Sequence, residues 1–392
     1  MSSSTNVDAG RTPRLDSVDL LRGLVMAFMA LDHVRDFLTN SRFDPADLSQ
    51  TTPALFLTRW VTHFCAPVFM FLAGTGISLA GQRGKTKPQL ARFLITRGLW
   101  LILLEFTIVR VGWDFNIQYN NGFLFIVLWA LGMSMIALAG LIHLPRVALA
   151  VIALGMIALH NLLDGIHADR FEVFGPLWNL LHEPAFINKP YLKGFVLYPL
   201  IPWIGVMAAG YLFGPILVLP QVIRRRRLWT LGGAIMLAFI ILRAINRYGD
   251  PQPWSQQSSF IMTVLSFLNT NKYPPSLLFV LMTLGPAIAA LAWFENVRGP
   301  VARILITIGR VPFFYYLLHI YLIHTVGVVG GVLQGFEARQ LCVDFFSIPP
   351  DFGYGLGVIY PIWIGVVLLL YLPCRWFAGL KRRRRDAWLS YL

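Results

Sequence analysis

The sequence predicts an all-α fold: a polytopic bundle of about 10–11 transmembrane helices with both termini in the cytoplasm. Of its 392 residues, 56% are hydrophobic and only 13% are charged, which is about half the charged share of a soluble domain. The apolar residues form blocks too long for a globular core, and the basic residues recur in alternate short loops. A disordered chain, a disulfide-rich scaffold and a soluble enzyme with a charged surface are therefore excluded.

Several apolar segments are long enough to be candidate spans. The ten that we predict are residues 18–37, 54–80, 92–111, 122–142, 147–163, 195–219, 228–246, 274–294, 302–333 and 353–379. Asp19 and Arg22 weaken the first by hydropathy. The ninth is too long for one straight helix, so Gly309 and Pro312 are expected to bend or break it. Residues 259–270 are too short to span and are expected to lie at the interface or to re-enter.

The predicted organisation is one membrane domain, residues 18–379, between a cytoplasmic tail of residues 1–17 and a basic cytoplasmic tail of residues 380–392. The first seventeen residues are polar and lack a small-residue cleavage site, so we expect an uncleaved N-terminus rather than a signal peptide.

The distribution of charge predicts the orientation. The chain has 33 basic and 19 acidic residues, a net charge of +14, which in a soluble protein would suggest nucleic acid. Here the excess lies in alternating loops such as 83–92, 224–227 and 298–303, whereas the other loops hold most of the acids. Basic loops stay in the cytoplasm, so both termini are placed there and the number of spans is even. We expect contact with anionic membrane lipids and no nucleic-acid partner.

The first span carries the sharpest set of ionisable residues. Arg22 and His33 are eleven residues apart, which leaves them about 20° apart on one helix face and about 16 Å apart along the axis. Arg22 points toward the cytoplasm and His33 toward the exterior, beside Asp32 and within reach of Asp36, which could orient its ring. The structural alternative is an Asp19–Arg22 ion pair with an interfacial histidine, but the shared stripe favours function.

Other spans add polar residues to the candidate site. Arg59 and His63 are four residues apart on the second span, so they share a face near its outer end. Tyr315 and His319 have the same spacing on the ninth span. Lys272 opens a Lys-Tyr-Pro-Pro-Ser sequence whose prolines suit a helix start. The structural alternatives are a snorkelling arginine and histidines that make polar helix–helix contacts.

No metal site is predicted. In the ninth span His324 lies five residues after His319 and is turned away by about 140°. A zinc site favours histidines four residues apart or a local carboxylate. The long external loops, residues 38–53, 164–194 and 247–273, form either a lid over an outward-opening site or ordinary loop packing.

Five stretches of the sequence resemble one family. They are RLDSVDLLRGLVMAFMALDHVRDFL from residue 14, RWVTHFCAPVFMFLAGTGISL from 59, YPLIPWIGVMAAGYLFG from 198, KYPPSLLFVLMTLGP from 272 and GRVPFFYYLLHIYLIH from 309. Together they resemble the bacterial branch of proteins similar to the catalytic domain of heparan-alpha-glucosaminide N-acetyltransferase. The Arg-x10-His pattern of Arg22 and His33 also looks like the motif of the wider superfamily of integral-membrane acyltransferases.

The resemblance implies an acyltransferase in the bacterial inner membrane. It would move an acetyl group from cytoplasmic acetyl-CoA, or another acyl-CoA, to a hydroxyl or amine of a sugar outside. On the Arg-x10-His pattern, His33 is the catalytic residue. The lysosomal enzyme has its histidine in the loop after the first span, where residues 38–53 have none, so His63 remains a second candidate.

The roles of the remaining candidates follow from acyl-transfer chemistry. A base must remove a proton from the acceptor, and neutral histidine suits this near pH 7. Donor phosphates need cations at the inner side, for which Arg22, Arg97 and Arg310 are available. The candidate substrate-binding residues are Asp32, Arg59, Lys272, Tyr315 and His319.

Two other functions compete with this interpretation. A transporter or flippase predicts inverted repeats and helices broken in matching halves, and the sequence has one broken span and no symmetry. A non-catalytic membrane protein predicts no activity that depends on His33. A homo-oligomer is left open.

Overall fold

A computed structural model describes residues 15–117, 122–343 and 347–384, together with Asp386 and Leu389. The protein is 72% helical with little strand. Residues 1–14 of the predicted N-terminal tail and six residues of the predicted C-terminal tail therefore lie outside the described residues. In chain order the α-helices are α1 (Asp16–Leu38), α2 (Pro53–Thr62), α3 (Cys65–Gln82), α4 (Lys87–Leu104), α5 (Arg110–Asp114), α6 (Val127–Leu141), α7 (Arg146–Ala158), α8 (Gly175–Leu181), α9 (Leu200–Phe213), α10 (Gln221–Ile245), α11 (Phe260–Leu268), α12 (Leu277–Phe294), α13 (Pro300–Arg310), α14 (Pro312–Leu333), α15 (Ala338–Leu341) and α16 (Leu356–Arg383).

Every predicted span overlaps at least one helix. Six helical segments of the described chain are long and apolar enough to cross a membrane. They are Pro53–Gln82, Leu200–Val218, Gln221–Ile245, Leu277–Phe294, Pro312–Leu333 and Leu356–Arg383. Helices α6 and α7 are apolar but shorter. The mostly helical membrane class is thus confirmed, while the count of ten spans and the cytoplasmic termini remain predictions.

Two predicted spans are interrupted. The second bends where α2 ends and α3 begins, at His63 and Phe64. The ninth breaks at Val311, which has φ −134° and ψ 51°, and Pro312 then opens α14. A proline is tolerated at a helix start because no N–H is needed there.

The break predicted near Gly309 and Pro312 is confirmed, and the packing around Gly309 gives this residue a further role. This glycine lies inside α13 and faces α1, where an added Cβ would come within 1.8 Å of the Asp19 carbonyl oxygen. A Cβ added to Gly23 of α1 would come equally close to the Leu305 carbonyl oxygen of α13. Gly309 therefore allows the two backbones to approach, and the break itself belongs to Val311 and Pro312.

A small sheet departs from the all-α prediction. It contains β1 (Phe123–Phe125), β2 (Ala185–Lys189) and β3 (Leu192–Val196), in the order β1-β3-β2. β2 and β3 are antiparallel and β1 is parallel to β3. The predicted spans that start at residues 122 and 195 therefore begin as strands, because short apolar runs do not by themselves distinguish helix from strand.

Helix α1 lies at the centre of the bundle. It packs against α2, α3, α12, α13, α14 and α16, and most of its side chains are buried, including Asp19, Asp32 and Arg35. A helix buried on all sides must pair its polar groups within the protein. The ionisable residues of α1 therefore have defined partners.

The predicted external loops contact one another at the end of the bundle where α1 stops. Thr39 forms a β-bridge with Tyr354, and the Asn269 side chain donates a hydrogen bond of 2.9 Å to the Ala46 carbonyl. Loops 38–53 and 247–273 are thus joined above the carboxyl end of α1.

Candidate active site

Arg22 and His33 lie on one stripe of α1, as the spacing predicted. Met26 and Met29 occupy the two turns between them, at offsets of four and seven residues from Arg22. Arg22 donates hydrogen bonds to Asp19 at 3.2 Å and to the Gly309 carbonyl at 3.3 Å. The predicted Asp19–Arg22 pair is therefore present, and it fixes the arginine at one end of the stripe.

His33, at the other end, lies in an aromatic pocket. Its ring meets the Trp113 ring edge-on at 4.8 Å and the His319 ring at 5.1 Å between centroids. Its Nδ1 lies 3.6 Å from Asp36 Oδ2, just beyond hydrogen-bond distance. Asp36 also accepts a hydrogen bond from Arg35. Asp36 is thus placed to orient the imidazole, and Trp113 limits its rotation.

His319 is fully buried and turned toward His33. Its Nδ1 is hydrogen-bonded to the Tyr316 carbonyl, so this nitrogen carries the proton and Nε2 has a free lone pair. Nε2 has no hydrogen-bond partner within the described part of the chain. The Tyr315 ring stacks on the His319 ring at 5.5 Å. The structure therefore brings the predicted pair together with His33.

Asp32 is the centre of a buried ion-pair network. It accepts two hydrogen bonds of 2.8 Å from Arg59, one of 2.9 Å from Arg35 and one of 2.9 Å from the Thr62 hydroxyl. Lys272 Nζ lies 3.8 Å from its other oxygen. Three cations thus share this carboxylate, and Asp36 is the second anion nearby, which gives the group a net charge of about +1.

Hydrogen bonds from neighbouring segments fix the turn that carries Lys272. Asp250 accepts hydrogen bonds from the Asn271 amide at 2.8 Å and from the Ser276 hydroxyl at 2.6 Å. Burial raises the pKa of the Asp250 carboxyl above its ordinary value, although these hydrogen bonds and Arg243 act in the opposite direction. The amide of Leu277, the first residue of α12, donates to Asn161 Oδ1. Lys272 is therefore positioned by side chains from two other segments.

His63 lies at the bend between α2 and α3. It is 3% exposed, its ring packs against Phe279 at 5.3 Å, and Arg59, Lys272 and Asp32 are the charges that act on it most strongly. His63 thus borders the Asp32 network, whereas His33 borders Asp36 and His319. The two histidines occupy different sides of the same polar cluster.

An apolar cavity of about 370 Å³ follows the stripe of α1. It is lined by Arg22, Met26 and Met29 of α1, and by residues of α3, α4, α6 and α14. Lys85 and Arg97 are the other cations of its lining, and Tyr316 belongs to it too. Met29 is one turn before His33, and Tyr316 holds His319. The cavity therefore has three cations in its lining and extends along α1 as far as the turn before His33.

A second cavity of about 320 Å³ adjoins the first and shares Arg22 and Gly76 with it. Arg83 and Arg224 also line it. Arg310 lines neither of these two cavities. It pairs with Asp16 at 3.1 Å and lies 3.7 Å from Asp19, the partner of Arg22. Of the three predicted donor-binding arginines, Arg22 and Arg97 thus line the first cavity and Arg310 does not.

Sequence reasoning missed Arg35, Thr62 and Trp113. Arg35 and Thr62 donate hydrogen bonds to Asp32, and Trp113 packs on His33. Arg35 is three residues after Asp32, a spacing typical of helical ion pairs, so the sequence held a signal for it. Thr62 and Trp113 depend on tertiary packing alone.

The chain matches the family described as heparan-alpha-glucosaminide N-acetyltransferase, catalytic, over residues 14–242. That range is more than half of the 392 residues, and it includes Arg22, His33 and His63. The chain belongs to this family. A search of curated proteins finds no match.

Membership confirms the resemblance seen in the sequence and makes the protein one of a family of membrane acetyltransferase type. Acetyl-CoA is the general donor of the family. The matched range ends before Lys272, Tyr315 and His319. Lys272 joins the candidate site through Asp32, His319 through His33, and Tyr315 through His319. Their roles remain predictions.

Proposed function

We propose that the protein transfers an acetyl group from cytoplasmic acetyl-CoA to a sugar hydroxyl or amine at the outer side of the membrane. The observation that carries this proposal is the cavity along α1, whose lining contains the cations Arg22, Lys85 and Arg97 and also Met29 and Tyr316, which lie next to the two histidines in sequence or contact. Its sides are mainly apolar and its length follows one stripe of a helix. This shape suits a donor with a phosphorylated head and a long, thin arm.

The donor would bind with its phosphates at the cations. Guanidinium and ammonium groups form charge-assisted hydrogen bonds with phosphate oxygens, and Arg83 and Arg224 add two more cations in the lining of the adjoining cavity. The pantetheine arm would then follow Met26 and Met29 for roughly 10 Å. The thioester would reach the turn of α1 that precedes His33, so the donor would not have to cross the membrane.

The acceptor would arrive from the opposite end of α1. Its hydroxyl or amine attacks the thioester carbonyl carbon, and Nε2 of His33 takes the proton that is lost. When the tetrahedral intermediate collapses, the carbon–sulfur bond breaks and the imidazolium returns the proton to the CoA thiolate. Asp36 would hold the ring with Nδ1 protonated and stabilise the imidazolium, because its carboxylate lies 3.6 Å from that nitrogen.

The remaining polar residues would position the acceptor. The free lone pair of His319 Nε2 can accept a hydrogen bond from a sugar hydroxyl, and it lies beside His33. Arg59 and Lys272 are held by Asp32 in fixed positions, so they offer donors without the entropy loss of mobile side chains. His63 borders the same network and would affect acceptor binding more than proton transfer.

The test is to fill the cavity without disturbing the helices. Gly76 of α3 lines both cavities, and an added Cβ would meet no atom within 4 Å. Gly76→Leu should weaken acetyl-CoA binding to the full-length protein in nanodiscs at least about tenfold, since the side chain would occupy the junction. Isothermal titration calorimetry measures this directly.

Gly140→Leu is the matched control. Gly140 is also a helical glycine with open space beside it, but it lines neither cavity, so donor binding should not change. Wild-type protein that binds no CoA would contradict the proposal and favour a transporter. Equal losses in both variants would show that the cavity is not the donor site.

A further inference from the structure

A second group of ionisable side chains lies at the His33 end of the bundle, outside the candidate active site. His160 begins a short 3-10 turn after α7, Asp164 follows that turn, and His182 directly follows α8. One ligand atom from each of these residues lies within 4.8 Å of the other two. Two histidines and a carboxylate form a donor set that transition metals bind.

The two histidines are buried, and three of their four ring nitrogens have no hydrogen bond among the described residues. His160 is 2% exposed and His182 is 3% exposed. Both ring nitrogens of His160 lack a hydrogen bond of normal geometry to the residues that the structure describes, and so does Nδ1 of His182. A buried polar group without a partner is costly, and a histidine with both ring nitrogens in this state needs an explanation.

We propose that His160, Asp164 and His182 bind a zinc ion. Ligand atoms at about 2.0–2.1 Å from a tetrahedral zinc are separated by roughly 3.3 Å. His182 Nε2 and Asp164 Oδ1 already lie 3.3 Å apart, and a ring nitrogen of His160 lies within 4.8 Å of both ligand atoms. Three protein ligands leave the fourth position for water.

The groups around the cluster are those that support metal ligands. Asn161 donates a hydrogen bond of 2.9 Å to Oδ2 of Asp164, which leaves Oδ1 directed at His182. The Pro275 carbonyl lies near the His160 ring, where it could accept a hydrogen bond from the nitrogen that does not bind metal. The Trp178 ring packs against His182 at 5.3 Å. Such partners fix the orientation of ligands and typically change metal affinity 10–100-fold.

The ion would join the outer loop to the turn that carries Lys272. Asn161, between His160 and Asp164, accepts the amide N–H of Leu277, and that residue directly follows the Lys-Tyr-Pro-Pro-Ser turn. Zinc would therefore fix residues 160–182 against the start of α12. This role is structural and does not depend on the acyltransferase proposal.

The alternative is a histidine–aspartate pair beside a neutral buried histidine. To separate the two, full-length protein with a tag free of histidine would be purified and its zinc content measured by mass spectrometry. We expect about one zinc ion per chain. His182→Gln and Asp164→Asn should each weaken zinc binding at least about tenfold. His167→Gln is the matched control, because His167 belongs to the same loop but is exposed and pairs with Glu183.

Replacement of zinc by cobalt gives a readout that folding alone cannot produce. Co²⁺ in a tetrahedral site has a visible absorption spectrum, and His182→Cys should add a sulfur-to-cobalt charge-transfer band while retaining the ion. The proposal would be overturned if the purified protein held no more zinc than an unrelated membrane protein prepared in the same way. It would also be overturned if His182→Gln and Asp164→Asn left the zinc content unchanged. An unchanged cobalt spectrum in His182→Cys would also overturn it.

Discussion

The two ends of α1 differ in their surroundings. At the Arg22 end, the helix borders two cavities whose linings include several cations. At the His33 end, Asp32 binds three cations in a buried network. A cavity can receive a flexible ligand, whereas a network of paired charges cannot move far without losing its pairs. The comparison suggests a binding region at one end and a preorganised reaction region at the other.

The largest expected effect is at His33. His33→Ala should lower single-turnover acetyl transfer by about 100- to 10,000-fold, the usual contribution of a general base. Acetyl-CoA binding should stay unchanged, because the cavity ends one turn before this residue. Rapid-quench assays in nanodiscs measure the first quantity, and calorimetry measures the second.

His63→Ala is the companion variant for the catalytic base. It should cost less than His33→Ala and should mainly raise the KM for the acceptor, since His63 borders the Asp32 network and not Asp36. Full transfer by His33→Ala together with lost transfer by His63→Ala would reverse the assignment of the base.

The features of this site that lie within one helix could be predicted from the sequence, because helix geometry is regular. The stripe that joins Arg22 and His33 depends only on the number of residues per turn, and so does the Asp19–Arg22 pair. The break before α14 follows from Pro312, which has no N–H and a fixed φ. Local chemistry determines these features, so one segment of sequence contains enough information.

Tertiary contacts were not readable in the same way. The cation that approaches Asp32 from the Lys272 turn is 240 residues away in sequence, and no spacing rule connects the two. The function of Gly309 also depends on a partner helix, since only the approach of α1 requires a glycine there. His160 and Asp164 are four residues apart, a spacing that favours shared ligands, yet His182 joins them only through folding.

The next prediction tests how much the Asp32 network contributes to the stability of the protein. Asp32→Asn removes the negative charge that Arg35, Arg59 and Lys272 share. Uncompensated buried cations should destabilise the protein by about 3–5 kcal/mol. Thermal unfolding in detergent, followed by tryptophan fluorescence, should show a clear fall in Tm.

Asp16→Asn is the control for that measurement. Asp16 is also an aspartate of α1 that pairs with an arginine, but its side chain is 55% exposed. Exposed pairs contribute about 0–1 kcal/mol, so its Tm should stay close to that of the wild type. Equal shifts in both variants would show that the Asp32 network is no more important than a surface pair.

The smallest expected effects are on acetyl-CoA affinity, and they distinguish Arg22 from Arg310. Arg22 lines both cavities and is about one-fifth exposed. Arg22→Ala should weaken acetyl-CoA binding by about 1.5–3 kcal/mol, the usual contribution of a hydrogen bond to a charged group. Arg310 is 41% exposed, lines neither cavity and pairs with Asp16. Arg310→Ala should change binding by less than about 1 kcal/mol.

The same calorimetric titration decides between these values. Both arginines lie near Asp19, so loss of either changes the charge around that carboxylate to a similar degree. A difference in affinity between the variants must therefore come from contact with the donor. If Arg310→Ala weakens binding as much as Arg22→Ala does, the donor phosphates extend onto α13, as the sequence-based assignment of Arg310 proposed. If only Arg22→Ala is affected, the cavity alone defines the donor site.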